Sequence, residues 1–173
     1  EAERAAPSVR TARGATRGLL RGWPRGSSTA EAARLVIAPR YLLDTNIVIY
    51  VIKRRPMEVM GVFNQNAGRM AISAITLSEL YHGAEKSAKV AQNLAVVEEF
   101  ASLLEVLPYA AKASQHYGAI RSELEKAGRP IGVNDLHIAA HARSEGLTLV
   151  TNNLSEFERV PGLLLDNWVG SLS

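Results

Sequence analysis

From about residue 35 onward the apolar positions fall into two alternating rhythms. Short, almost uncharged runs predict buried strands: 35–43, ending at Asp44; 69–75; 106–107, just before Pro108; 147–150; and a last edge strand over 163–165. Between them the apolar residues take helical spacing. One helix is expected to start with Thr45 or Asn46 as its cap, to carry Ile47, Tyr50 and Val51, and to stop near Pro56. A second is expected from 56 to about 64. Thr76-Leu77-Ser78-Glu79 matches a capping box and predicts a helix running to about 86. Leu94, Val97, Phe100, Ala101 and Leu104 share one face of a helix over 93–104. Ala113, Tyr117, Ile120 and Leu124 do the same over 110–126, with Gly128 as the stop. Asn134-Asp135 opens a helix over 136–144 that Gly146 closes, and Glu156-Phe157 begins a short helical turn. Strands that alternate with helices predict an α/β fold, a parallel sheet covered on both faces.

The first part of the chain has neither rhythm. Residues 1–38 are rich in Ala, Arg, Gly and Ser and are expected to be a disordered basic leader extraneous to the fold, because they cannot bury enough apolar surface to offset backbone ordering of about 1–2 kcal/mol per residue. An RNA-contacting arm and an Arg-rich transit segment are the competing readings. This leader changes how the charge is read. Residues 1–40 hold eight arginines, no lysine and three glutamates, a net +5, whereas the remaining 12 basic and 14 acidic residues leave the body at −2. The overall +3 therefore does not advertise a basic nucleic-acid-binding face on the body.

Of the 173 residues, 47% are apolar and none is cysteine. One domain, residues 39–173, accounts for that length and core. Disulfides, thiolate metal sites and cysteine nucleophiles are excluded, and a cytoplasmic protein without a membrane span is expected.

Three acids stand where strands give way to helices. Asp44 interrupts apolar sequence on both sides, Glu79 follows the strand at 69–75, and Asp135 opens a helix; Asn153 follows the strand at 147–150. In a parallel sheet such positions share the carboxyl edge, where ligands bind. Three carboxylates there repel by about 3 kcal/mol per pair at roughly 5 Å and an effective dielectric near 20. A divalent cation relieves this, and an all-oxygen donor set points to Mg²⁺ or Mn²⁺. Such a site suits phosphodiester hydrolysis by an activated water. Each acid also has a local explanation: Glu79 as the capping-box partner of Thr76, Asp135 as an acid complementing a helix dipole, and Asp44 as a turn residue.

Other chemistry is less supported. His137 and His141 share a helix face at i, i+4 but flank an apolar stripe of Ile138, Ala139 and Ala142, so they are expected to be flanking or surface residues rather than ligands. No nucleophile elbow, P-loop or dinucleotide-binding glycine turn occurs. Lys53-Arg54-Arg55, Lys86, Lys89 and Arg129 are candidate phosphate contacts, or simply solvated helix ends.

The segments Leu43-Asp44-Thr45-Asn46, Thr76-Leu77-Ser78-Glu79-Leu80, Asn134-Asp135-Leu136-His137-Ile138-Ala139-Ala140 and Thr151-Asn152-Asn153-Leu154-Ser155-Glu156-Phe157, in this order, resemble the PIN-domain ribonucleases, specifically the VapC toxins of type II toxin–antitoxin modules. The likeness runs from about Tyr41 to Trp168. It implies an α/β/α sandwich around a central parallel sheet and a Mg²⁺-dependent endoribonuclease. It further implies Asp44, Asp135 and Glu79 as metal-binding and catalytic acids, and Thr45, Asn46, Thr151 and Glu156 as candidates for positioning substrate. Asn153, a fourth candidate catalytic residue, stands where many relatives carry a further aspartate, which leaves open whether it orients water or substrate and whether Glu156 substitutes for that aspartate. Gly128-Arg129-Pro130-Ile131-Gly132 and Asn152-Asn153 to Arg159 look like the enteric branch, which implies initiator tRNA, cut in the anticodon loop, as substrate. The family also implies a homodimer and a VapB-type antitoxin whose tail fills the acidic site. A non-catalytic RNA- or antitoxin-binding module is the alternative, motivated by Asn153 and the leader, and a phosphatase of similar topology is a weaker third.

Overall fold

The computed structural model describes residues 38–170; the expected leader, apart from Ala38, and the apolar run Leu35-Val36-Ile37 lie outside them. Twelve elements follow in order: β1 (Tyr41–Leu43), α1 (Thr45–Lys53), α2 (Glu58–Gln65), β2 (Met70–Ser73), α3 (Ala74–Glu85), α4 (Val90–Ala101), β3 (Glu105–Leu107), α5 (Ala111–Lys126), α6 (Val133–Glu145), β4 (Thr148–Val150), α7 (Leu154–Phe157) and β5 (Leu164–Asp166). The five strands pair in parallel in the order β3-β2-β1-β4-β5, which puts β1 at the centre. Leu43 lies opposite Ile72 on one side and Val150 on the other, so β1 and β4 finish level and β2 runs one residue further, to Ser73.

Adjacent residues of β1 point to opposite faces, and each face has its own core. Leu43 packs with Ile47, Val48, Phe63, Ile72 and Phe100 on the side of α1 to α4. Leu42 packs with Ala71, Ile120, Ile138, Leu149 and Phe157 on the side of α5, α6 and α7. The result is the α/β/α sandwich that the alternating pattern implied.

Several boundaries differ from expectation, and each for a local reason. The run 69–75 splits at Ser73, whose hydroxyl accepts a hydrogen bond from Ile75 N at 3.1 Å and caps α3, so Ala74 and Ile75 are helical. Thr76 is therefore inside the first turn, buried, and not the cap; the capping-box reading of Thr76 and Glu79 is incorrect. Asp44, rather than Thr45 or Asn46, caps α1. The helix expected over 93–104 is α4, three residues earlier, and Leu104 packs onto the core from beyond its end. The stops at Gly128 and Gly146 both have positive φ, 64° and 67°, conformations that favour glycine. Among the described residues no helix is long and apolar enough to cross a membrane.

Candidate active site

β1 hands its last backbone hydrogen bond to the residue after it: Asp44 N donates to Val150 O at 2.9 Å, which holds Asp44 at the carboxyl edge of the central strand. Its side chain is only 2% exposed. Oδ1 accepts from Thr45 N at 2.7 Å, the capping bond of α1, and Oδ2 accepts from Thr151 Oγ1 at 2.8 Å. Burial pushes the Asp44 carboxyl up to about 6; Asp135 and Glu79 push the same way, while the bonds from Thr151 and Thr45 pull it down. A buried acid with two donors is still short of positive charge.

Glu79 arrives from the second turn of α3. One carboxylate oxygen accepts a short hydrogen bond from Thr45 Oγ1, and the other accepts from Asn134 Nδ2 at 2.8 Å. Asp135 lies in the first turn of α6, one residue beyond Asn134. Its carboxyl is raised by burial first, and then by the charges of Glu79 and Glu156. Gly132, which precedes α6, leaves room for it: a Cβ there would touch Asp135 Oδ2 at 3.4 Å.

The loop after β4 closes the fourth side. Thr151, fully buried, gives its hydroxyl proton to Asp44 and accepts from Asn153 N at 2.9 Å. Asn153 Nδ2 in turn reaches Asp135 Oδ2 at 3.4 Å, and its Oδ1 accepts from Ser155 Oγ at 3.3 Å. An amide at this place gives a proton toward Asp135 where a carboxylate would repel it. Glu156 is paired with Arg159 at 3.7 Å, and Arg159 also donates to Pro130 O at 3.1 Å, so α7 is tied to the loop before α6.

The structure places Asp44, Glu79 and Asp135 at one sheet edge, near enough for their charges to act on one another, with Asn153 and Thr151 bonded to two of them, yet among the described residues no three such side chains stand close enough to enclose a metal; Asn46 lies exposed on the first turn of α1. Glu79 bonds across to Thr45 and Asn134 and not to its own helix end. Asn134 was not among the expected site residues; its place immediately before Asp135 at a helix start was the available signal. Of the candidate cationic contacts, Lys53 ends α1 and lines the same groove as Glu79, Lys86 and Lys89 cap helix ends, and Arg129 is exposed. The expectation that His141 flanks or faces solvent is incorrect: it is 1% exposed and shares a 2.8 Å hydrogen bond with Ser73 Oγ. His137 stacks on Tyr117, with ring centroids 4.2 Å apart, and its Nδ1 shares a 2.9 Å bond with Tyr109 OH.

Residues 41–163 match the PIN domain family. The chain belongs to the PIN-domain family, in its VapC branch. It is 62% identical over 130 residues to ribonuclease VapC2 of Haemophilus influenzae, covering 75% of this chain and 98% of that one. With the tRNA(fMet)-specific endonuclease VapC of Shigella flexneri it shares 54% identity over 129 residues, again 75% and 98% of the two chains. Among solved structures, a chain of the DNA-bound VapBC from Salmonella typhimurium superimposes with a TM-score of 0.73 at 52% identity, covering 75% of this chain and 98% of that chain.

Proposed function

We propose that this PIN-domain chain is the toxin of a VapBC module, an endoribonuclease that depends on Mg²⁺, or Mn²⁺ in its place, and hydrolyses RNA phosphodiester bonds. The observation that carries the reading is the meeting of Asp44, Glu79 and Asp135 at one sheet edge, where burial and their mutual repulsion raise Asp44 and Asp135. The donors around them, Thr45, Thr151, Asn134 and Asn153, are all neutral. A divalent cation would supply the balancing positive charge.

The residues fit a hydrated Mg²⁺ better than a fully dehydrated ion. Among the described residues no three His, Cys, Asp or Glu side chains stand close enough to enclose a metal. Mg²⁺ characteristically keeps several waters and takes only one or two carboxylates directly. Asp44 and Asp135 are the candidates for direct contact, with Glu79 reaching through water. When bound, the cation would supply electrostatic stabilisation to the scissile phosphate and acidify a nearby water. Thr151 and Thr45 N fix the Asp44 carboxylate, Thr45 Oγ1 and Asn134 fix Glu79, and Asn153 orients Asp135. Thr45, Asn46, Thr151 and Glu156 lie near enough to these acids in sequence or space to position the substrate strand.

For substrate, we infer tRNA, and initiator tRNA cut in its anticodon loop, from the enteric-type segments of the sequence and the Shigella relative's name. For partner, we infer a VapB-type antitoxin. A groove of about 380 Å³ lined by Ile49, Ile52, Leu80, Val96 and Val97 opens beside Glu79, which suits an amphipathic helix followed by a basic side chain. A homodimer in the cytoplasm completes the reading. Asn153 supports a second reading, a module that binds RNA or antitoxin without cutting. Incubating purified protein with total tRNA in Mg²⁺ and in EDTA separates the two: cutting only in Mg²⁺ supports the nuclease, and retention of tRNA without cutting supports the binding module.

A further inference from the structure

We infer that His141 is a positioning residue for the acid site, acting through Ser73 to hold together and in register the two helices that deliver Glu79 and Asp135. This deepens the nuclease reading and rests on it.

Ser73 ends β2 and caps α3, six residues before Glu79; His141 lies on α6, six residues after Asp135. Six helical residues rise about 9 Å. The Ser73–His141 bond is thus a tie at the base of two helices whose upper turns carry the acids. A second tie, from Asn134 Nδ2 to Glu79 Oε1 at 2.8 Å, joins the same helices at the mouth. The two ties differ in environment. The mouth bond is exposed and involves a carboxylate that the site itself uses, whereas Ser73 is fully buried and His141 is 1% exposed.

The chemistry of the buried tie is specific. Ser73 Oγ already accepts from Ile75 N at 3.1 Å, so its hydroxyl proton is available to His141 Nδ1 at 2.8 Å. Burial holds the imidazole below its ordinary pKa, in keeping with a neutral ring that accepts this proton. Tyr109 packs edge-on against the same ring, with centroids 5.5 Å apart. Tyr109 is itself held by its hydroxyl bond to His137. An apolar residue at 141 would fill the space but leave Ser73 without its partner and free the base of α3 from α6. Outer groups that orient metal-binding side chains typically change metal affinity by 10–100-fold when removed.

The test compares wild type, His141→Leu and His141→Asn, the last because an Asn amide lies nearest to the place of ring Nδ1. Mg²⁺ is titrated calorimetrically into each protein without RNA, and tRNA cutting is measured separately. The inference expects His141→Leu to weaken Mg²⁺ binding about tenfold or more, and His141→Asn to recover most of it. A purely structural role lowers thermal stability in His141→Leu while the folded protein binds Mg²⁺ as wild type does, and that result overturns the inference. If His141→Leu does not fold, the wild type decides: its His141 imidazole nitrogen resonances are expected to shift on Mg²⁺ addition while those of exposed His82 do not, and unmoved His141 resonances overturn it. Failure of the wild type to bind Mg²⁺ or cut tRNA overturns the nuclease reading itself, and the inference with it.

Discussion

Thr151 Oγ1 donates to Asp44 Oδ2 at 2.8 Å, a bond that links two strand ends 107 positions apart in sequence. Through it the loop after β4 supports the buried acid at the tip of β1, and it carries one of the two bonds that pull the Asp44 carboxyl down against its burial. Thr151→Val keeps the side-chain shape and removes both this donor and the acceptor of Asn153 N, of which only the first depends on the charge of Asp44. A hydrogen bond to a charged group contributes about 1.5–3 kcal/mol. Urea unfolding at pH 7 is expected to show a loss of that order, and a smaller one near pH 4, where Asp44 is protonated. Equal losses at the two pH values contradict the assignment.

Asp44 itself is a stability cost in the metal-free protein. Its pKa rises from 3.8 to about 6 on folding, a difference worth about 3 kcal/mol. Asp44→Asn removes the buried charge while its Oδ1 can still accept from Thr45 N. The variant is expected to be more stable than wild type at pH 7 without divalent cation, by up to about 3 kcal/mol, and unable to cut RNA. A less stable Asp44→Asn, measured by the same unfolding, speaks against a destabilising charge.

The pH dependence follows with a definite sign. A folded pKa above the unfolded value means that Asp44 favours the fold when protonated: that contribution is complete below 3.8 and is lost as the pH rises through about 6. Metal-free wild type is therefore expected to lose stability over that window, and Asp44→Asn to lose less. Added Mg²⁺ binds the ionised form, so it is expected to restore stability at pH 7 and not at pH 4. Thermal melts in EDTA and in Mg²⁺ at the two pH values measure this. Equal stabilisation by Mg²⁺ at both would place its binding elsewhere.

Asn153 offers a gain-of-charge test. Its amide faces Asp135 Oδ2 at 3.4 Å, so Asn153→Asp replaces a donor with a repelling carboxylate. The metal-free protein is expected to lose about 1–3 kcal/mol, and calorimetry to show tighter Mg²⁺ binding. Weaker or unchanged Mg²⁺ affinity contradicts the view that this side of the site faces the cation.

What was legible in the sequence was what depends on local pattern. The strand ending at Asp44 and the helix opening at Asp135 could be read because an acid beside an apolar run marks a boundary wherever the chain folds. Glu79 was harder. Thr76-x-x-Glu79 imitates a cap, yet the hydroxyl that caps α3 belongs to Ser73, followed by Ala74 and Ile75, whose apolar character prolonged the apparent strand. The burial of His141 is hidden from the sequence for a related reason. A histidine beside an apolar helical stripe is buried only if something satisfies its nitrogens, and the satisfying group, Ser73, lies 68 positions away. The role of Asn134 is hidden likewise, because its partner, Glu79, is 55 positions distant. Long-range hydrogen bonds between side chains leave no periodic trace, and the finer geometry of this site is made of them.

Asp44, Glu79 and Asp135 are proposed to act together on RNA through a divalent cation. The most direct measurement follows tRNA cutting in Mg²⁺ and in EDTA by wild type, Asp44→Asn, Glu79→Gln and Asp135→Asn, each checked for folding by circular dichroism. Cutting by wild type in Mg²⁺ alone, lost by at least about a hundredfold in each folded variant, which is about 2.7 kcal/mol of transition-state stabilisation, is the expected result. Cutting that persists in EDTA, or that survives in any one of the three folded variants, contradicts the claim.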